Sequence, residues 1–122
     1  MRLGGHDIEL MPQTLAWKLF GKIDSVRMRF RHRYEASPSH IETLEKAGLV
    51  FSGKAPDQPI MQILEIPSHP FFIATQAHPC LTSRPLRPQP MFVGLVAAAM
   101  QRHYPQEKLP GCVEAAEKHA MV

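Results

Sequence analysis

His78, Cys80 and Arg33 are the residues of this 122-residue chain whose types and placement could do chemistry. His78 stands in Gln76-Ala77-His78-Pro79-Cys80, straight after the apolar run Phe71-Phe72-Ile73-Ala74-Thr75. The ends of strands in α/β sheets are where ligands bind, and an imidazole placed there can move protons. On an extended backbone residues i and i+2 share a face, and Pro79 restricts the backbone between them. The Cys80 thiol is therefore expected beside His78, as an activated nucleophile or a redox centre. The plainer readings are a histidine satisfied by backbone partners and a small buried cysteine that only fills space. Arg33 belongs to the segment from Val26 to Ser37, in which Arg27, Arg29, Arg31 and Arg33 alternate with Val26, Met28 and Phe30. That period of two predicts a strand with one densely cationic face. Such a face can hold an anionic ligand, or Arg33 can simply pair with a surface carboxylate.

The elements that must position these residues follow from the same kind of reading. His6 to Leu10 alternates as a half-buried strand and is closed by Met11-Pro12. Thr14 to Phe20 predicts a short helix stopped by Gly21. A second helix is expected from Ser37 as N-cap, with Pro38 in its first turn, Gly48 at its end, and Ile41, Leu44 and Ala47 or Leu49 as its buried face. Strands over Leu49–Ser52 and Ile60–Ile66 flank a loop rich in glycine and proline. The run from Phe71 to Gln76 reads as a central strand. After a proline-rich stretch, Met91 to Arg102 predicts a helix with Phe92, Leu95, Val96 and Ala99 in the core. Residues 1–103 thus form a partial domain, and 104–122 a tail with a marginal helix over Val113–Met121. The order of elements suits an α/β layered domain with a mixed sheet.

Composition narrows the function classes. The chain has 44% hydrophobic and 20% charged residues, as a globular protein has. A net charge of +3 is spread along the sequence, and interleaved aromatics are scarce, which argues against nucleic acid as a partner. No apolar run reaches the length of a membrane span and the N-terminus lacks a signal-peptide core, so a cytoplasmic protein is expected. Two cysteines make no disulfide framework, leaving their thiols free in a reducing compartment. His32, His69, His78 and Cys80 show no zinc-type pair spacing, and no cofactor is expected. Phosphate-binding glycine loops and Gly-x-Ser-x-Gly or Gly-x-Cys-x-Gly elbows do not occur.

Several segments in register carry a resemblance. They are Met1-Arg2-Leu3-Gly4, Arg31-His32-Arg33-Tyr34-Glu35, Ala47-Gly48-Leu49-Val50-Phe51-Ser52-Gly53, His69-Pro70-Phe71-Phe72, Gln76-Ala77-His78-Pro79 and Ser83-Arg84-Pro85-Leu86-Arg87-Pro88. From Met1 to about Arg102 the chain resembles the C-terminal part of the glutaminase domain of CTP synthase, a class I (triad) glutamine amidotransferase with a flavodoxin-like layered fold. The resemblance implies that His78 is the triad histidine and that Arg33 holds the carboxylate of glutamine or a similar amino acid. It places Cys80 where the family has the glutamate that orients the histidine. A neutral thiol is a weak acceptor and does not replace a carboxylate there.

The resemblance also implies that the family's attacking cysteine lies upstream of the region matched by Met1. On this reading the chain is inactive as a conventional glutaminase on its own. It needs a missing N-terminal half-domain, or it is a non-catalytic binding or assembly module, or it does thiol chemistry at Cys80. An uncovered strand edge would favour homo-oligomers. A second resemblance is to proteins related to the CTP synthase C-terminal region in which cysteine or selenocysteine replaces this acid.

Overall fold

The computed structural model describes residues 1–120, so the expected helix end at Met121 lies outside the described residues. Five strands and four helices follow one another: β1 (Arg2–Leu10), α1 (Leu15–Leu19), β2 (Ser25–His32), α2 (Pro38–Lys46), β3 (Val50–Lys54), β4 (Met61–Glu65), β5 (Ile73–Thr75), α3 (Pro90–His103) and α4 (Cys112–Ala120), with a 3-10 turn at Pro79–Leu81 before α3. The strands form one sheet in the order β2-β1-β3-β4-β5. The α/β class is as expected. Within the described residues the sheet is antiparallel at every ladder rather than mixed.

The alternation read in β2 is realised in space. Met28 and Phe30 are buried while Arg27, Arg29 and Arg31 are exposed. On the facing strand Ile8 and Leu10 are buried, and Ile63 of β4 joins them in a core with Ala16, Ala77 and Met91. Irregularities in the β3–β4 register increase local twist, and the sheet curls. The chain beyond β5 then returns toward the outer edge of β2: Gln76 N donates to Gln62 O at 2.9 Å and His78 N donates to Arg29 O at 2.9 Å. A pair of edges that would otherwise expose unpaired backbone is partly covered this way.

β1 starts four residues earlier than the alternation of His6–Leu10 suggests. Gly5 pairs with Arg29 in the ladder, and a Cβ on it would lie 3.1 Å from Arg27 Nε. α1 is anchored at its start. Thr14 Oγ1 accepts from Trp17 N at 3.3 Å, and the buried Glu65 carboxylate accepts from Leu15 N at 2.8 Å and Ala16 N at 3.1 Å. Satisfying the free N–H groups of a first turn is what a capping carboxylate does.

Four expectations are corrected. α2 has no buried residue, and Leu44 is exposed: the core around Ile8, Met28, Phe30 and Ile63 is formed without it. The segment Phe71–Gln76 contributes only the three-residue β5, at the end of the sheet order and half-buried. In α3 the expected core residues Phe92, Leu95, Val96 and Ala99 are exposed, and Met91, Gly94 and Ala97 are the buried ones. The reason is closeness: a Cβ on Gly94 would lie 2.9 Å from Leu19 Cδ2 and 3.0 Å from Phe71 Cε2, so the helix packs by its small-residue face. Finally, the helix of the tail is not marginal but packed. Ala115 and Ala116 of α4 are buried, and α4 packs against α3 and α1.

Candidate functional site

The mouth of the curled sheet gathers polar side chains around Arg33. Arg2 and His32 are paired across β1 and β2, and the ring of Phe30 lies beneath both, with the Arg2 guanidinium carbon 6.0 Å and the His32 ring 5.6 Å from its centroid. Glu35 turns back onto this pair. One of its oxygens, Oε1, lies 3.2 Å from His32 Nε2 and 3.9 Å from Arg2 Nε. All three side chains are largely buried, at 10% exposure for His32, 13% for Arg2 and 26% for Glu35. A buried cation and carboxylate in mutual contact hold each other in place.

Arg33 follows His32 immediately and is exposed. It lines an open cleft of about 830 Å³ together with Arg2, His6, Tyr34, Glu35 and Gln58. Among the described residues no ion pair involves Arg33. Its guanidinium is thus available to a ligand, beside fixed charges of both signs. Gln58 is linked to the wall by Arg2, whose guanidinium donates to Gln58 Oε1 at 3.3 Å. Reading β1 as beginning at His6 hid Arg2 from the candidate site. The signal that could have found Arg2 is its place in the Met1-Arg2-Leu3-Gly4 motif.

His78 is half-buried, three residues beyond β5, and outside that cleft. Its backbone is fixed at both ends. The N–H donates to Arg29 O, and the carbonyl accepts from Leu81 N at 3.0 Å. That second bond corrects the extended geometry expected between His78 and Cys80. Pro79 opens a 3-10 turn over Pro79–Leu81, because its fixed φ suits a first helical position. The i, i+2 rule of strands therefore does not apply here. Cys80 is exposed on this turn.

Two segments of the expected site are nevertheless brought together. Gln76 Nε2 donates to Tyr34 O at 3.4 Å, joining the Gln-Ala-His-Pro motif to the Arg-His-Arg-Tyr-Glu motif. Arg29, whose carbonyl holds His78, lies four residues before Arg33, roughly 13 Å along the strand direction at about 3.3 Å per residue. The structure places His78 and Arg33 on neighbouring segments but in different surroundings. Among the described residues, no three His, Cys, Asp or Glu side chains converge as a metal site, and no helix is long and apolar enough to cross a membrane.

Comparison with known proteins gives this arrangement its lineage. The family model Glutamine amidotransferase class-I matches residues 2–98. The CTP synthase of Thermococcus gammatolerans is 53% identical over 105 residues, which is 85% of this chain and 20% of that protein. The CTP synthase of Pyrococcus furiosus is 53% identical over 109 residues, covering 88% and 20%, and that of Acidothermus cellulolyticus is 49% identical over 107 residues, covering 86% and 19%. The chain thus spans about a fifth of the length of these relatives. Among solved structures, the glutaminase domain of Trypanosoma brucei CTPS with bound acivicin superposes with a TM-score of 0.78 at 34% identity, covering 83% of this chain and 40% of that one. The chain belongs to the class I glutamine amidotransferase family and corresponds to a part of the glutaminase domain of CTP synthases.

Proposed function

We propose that this chain is a glutamine-recognising portion of a CTP-synthase-type amidotransferase domain, and that it does not hydrolyse glutamine by itself. The observation that carries the reading is the Arg33 guanidinium, in no ion pair among the described residues, at a cleft of about 830 Å³ that also presents Arg2 and Glu35. Arg33 binds the carboxylate of glutamine or a similar amino acid through paired charge-assisted hydrogen bonds. Glu35 supplies the opposite charge that an amino-acid head group needs. His78 is the proton-transfer residue, and Cys80 stands in the position of the triad glutamate. An exposed thiol on a turn does not orient an imidazole as a hydrogen-bonded carboxylate does. Triad chemistry is therefore incomplete in this chain.

The test separates binding from turnover. L-glutamine added to the purified chain should bind saturably by calorimetry without releasing ammonia. Ammonia release abolished by His78→Ala would show that the chain is a working glutaminase and overturn the inactivity. Absence of glutamine binding would overturn the recognition itself.

A second reading, an assembly module, is favoured by one specific feature. Phe92, Leu95, Val96 and Met100 are 41%, 54%, 57% and 43% exposed along one side of α3. Large apolar residues grouped on an exposed helix face mark contact surfaces. The partner on this reading is the rest of a glutaminase domain, of which the matched structure has 60% outside the shared region, or a second copy of the chain. A domain completed in this way would bring a nucleophile to His78, so the two readings are compatible.

A further inference from the structure

Arg33 is carried by a stretch of chain with little backbone support. The β1–β2 ladder ends at the pair Arg2↔His32. Beyond it, Arg33, Tyr34, Glu35 and Ala36 make no backbone–backbone hydrogen bond among the described residues. Holding such a stretch in one conformation costs entropy, so side chains must tie it down. Two ties are present. Gln76 Nε2 donates to Tyr34 O at 3.4 Å, a long bond. The Glu35 carboxylate turns back on the last pair of the ladder, with Oε1 3.2 Å from His32 Nε2 and 3.9 Å from Arg2 Nε.

A carboxylate only accepts hydrogen bonds, so His32 Nε2 is the donor in the shorter contact. The contact to Arg2 is too long for a hydrogen bond and acts as an ion pair. His32 therefore supplies the directional hold on Glu35, and it is itself fixed. Its backbone closes the ladder, its side chain is 10% exposed, and its ring meets that of the buried Phe30 edge-on at 5.6 Å. The support thus runs from the core through Phe30 and His32 to Glu35, and the His32–Glu35 contact spans the stretch on which Arg33 sits. Arg33, Tyr34 and Glu35 all line the cleft, whereas His32 does not.

We infer that His32 is a positioning residue for ligand recognition: by fixing Glu35 it holds residues 32–35 in one conformation and presents the Arg33 guanidinium at the cleft. The inference rests on the reading of Arg33 as the group that binds the carboxylate of glutamine. His32 acts without touching the ligand. Its effect is on the fraction of molecules whose Arg33 is in place, and apparent affinity falls in proportion to that fraction.

The experiment makes two measurements on the full chain. Heteronuclear NOEs of the nitrogen-15-labelled protein report the order of the Arg33, Tyr34 and Glu35 amides, and calorimetry reports the affinity for L-glutamine. His32→Phe keeps a ring against Phe30 but has no donor. In it those three amides should lose order while those of Arg27, Arg29 and Arg31 stay as in the parent, and glutamine affinity should fall about tenfold, the scale of one hydrogen bond to a charged group. His32→Gln offers an N–H at similar reach and should recover most of both. Added to Arg33→Ala, His32→Phe should weaken binding by less than about twofold more, because effects that run through one group do not add. Glu35→Ala, read by the amides alone since Glu35 also lines the cleft, should free the same stretch and serves if His32→Phe does not fold. Amides that stay ordered in both variants, loss of order spread along β2, no recovery in His32→Gln, or an equal loss of affinity with and without Arg33 would each overturn the inference and leave the reading of Arg33 standing. A parent chain that does not bind glutamine, or binds it no better than Arg33→Ala, would overturn that reading and the inference with it.

Discussion

The two faces of β2 make opposite demands on the chain. Met28 and Phe30 are 1% and 2% exposed and meet Ile8 and Ile63 in a core that the chain closes by itself. Arg29 and Arg31 alternate with them and face solvent, and Arg33 continues the series at the cleft. Burial on one face supplies stability through apolar area removed from water, while on the other face Arg29, Arg31 and Arg33 take part in none of the ion pairs of the described residues. The difference teaches that folding and, on the function proposed above, ligand recognition are written on alternate residues of a single segment. One can be damaged with little effect on the other.

The sharpest break of this contrast is Phe30→Ala against Arg29→Ala. Removing a buried phenylalanine costs about 3–5 kcal/mol, here including its contacts under Arg2, His6 and His32. Urea denaturation should show that loss for Phe30→Ala and a change within about 0.5 kcal/mol for Arg29→Ala. Comparable losses from both would mean that the cationic face is part of the fold's support.

Glu65 tests whether a charge can belong to the inner side. It is 4% exposed, and its carboxylate accepts from two backbone N–H groups that start α1. Glu65→Ala leaves the buried Ala16 N–H and the part-buried Leu15 N–H without a partner, at a cost of roughly 2–3 kcal/mol. Denaturant midpoints measure it. A shift near zero would show that α1 does not depend on this anchor.

The same contrast explains which parts of the molecule the sequence made legible. β2 was plain because strict alternation has one physical reading, a half-buried strand. Gly21 after α1 and Gly48 after α2, both at positive φ, were equally local signals. α3 was misread because it is apolar on more than one side: periodicity marks Phe92, Leu95 and Val96, but closest approach is decided by Gly94 and Ala97, which carry little hydrophobic signal. The start of β1 was missed because the polar–apolar alternation begins only at His6, and Arg2 was missed with it. At the site, motif positions located Arg33 and His78, whereas the turn at Pro79 that parts Cys80 from a strand geometry depends on hydrogen bonds no pattern displays.

The exposed side of α3 offers a smaller test of stability and a clear test of association. Leu95 and Val96 are 54% and 57% exposed, so the double variant Leu95→Lys, Val96→Lys should change stability by about 0.5 kcal/mol or less. If this face is a contact surface, sedimentation should show concentration-dependent association of the parent chain and a monomer for the variant. A parent chain that stays monomeric at every concentration would remove self-association and leave the remainder of a glutaminase domain as the partner to add.

Arg33→Ala should have the smallest effect on the fold and the most specific one on function. The side chain is exposed and takes part in none of the ion pairs of the described residues, so no stabilising contact is lost and the midpoint should move by about 0.5 kcal/mol or less. Calorimetry with L-glutamine should nevertheless show affinity reduced about tenfold or more, since hydrogen bonds to charged groups contribute roughly 1.5–3 kcal/mol each. Arg33→Lys keeps the charge but loses the planar fork, and should recover only part of the affinity. Full recovery by lysine would mean that the cleft attracts the ligand by charge alone, with Arg2, which also lines it, able to share the task. Unchanged affinity in both variants would leave Arg33 outside the recognition of glutamine and return the cationic face of β2 to an ordinary solvated surface.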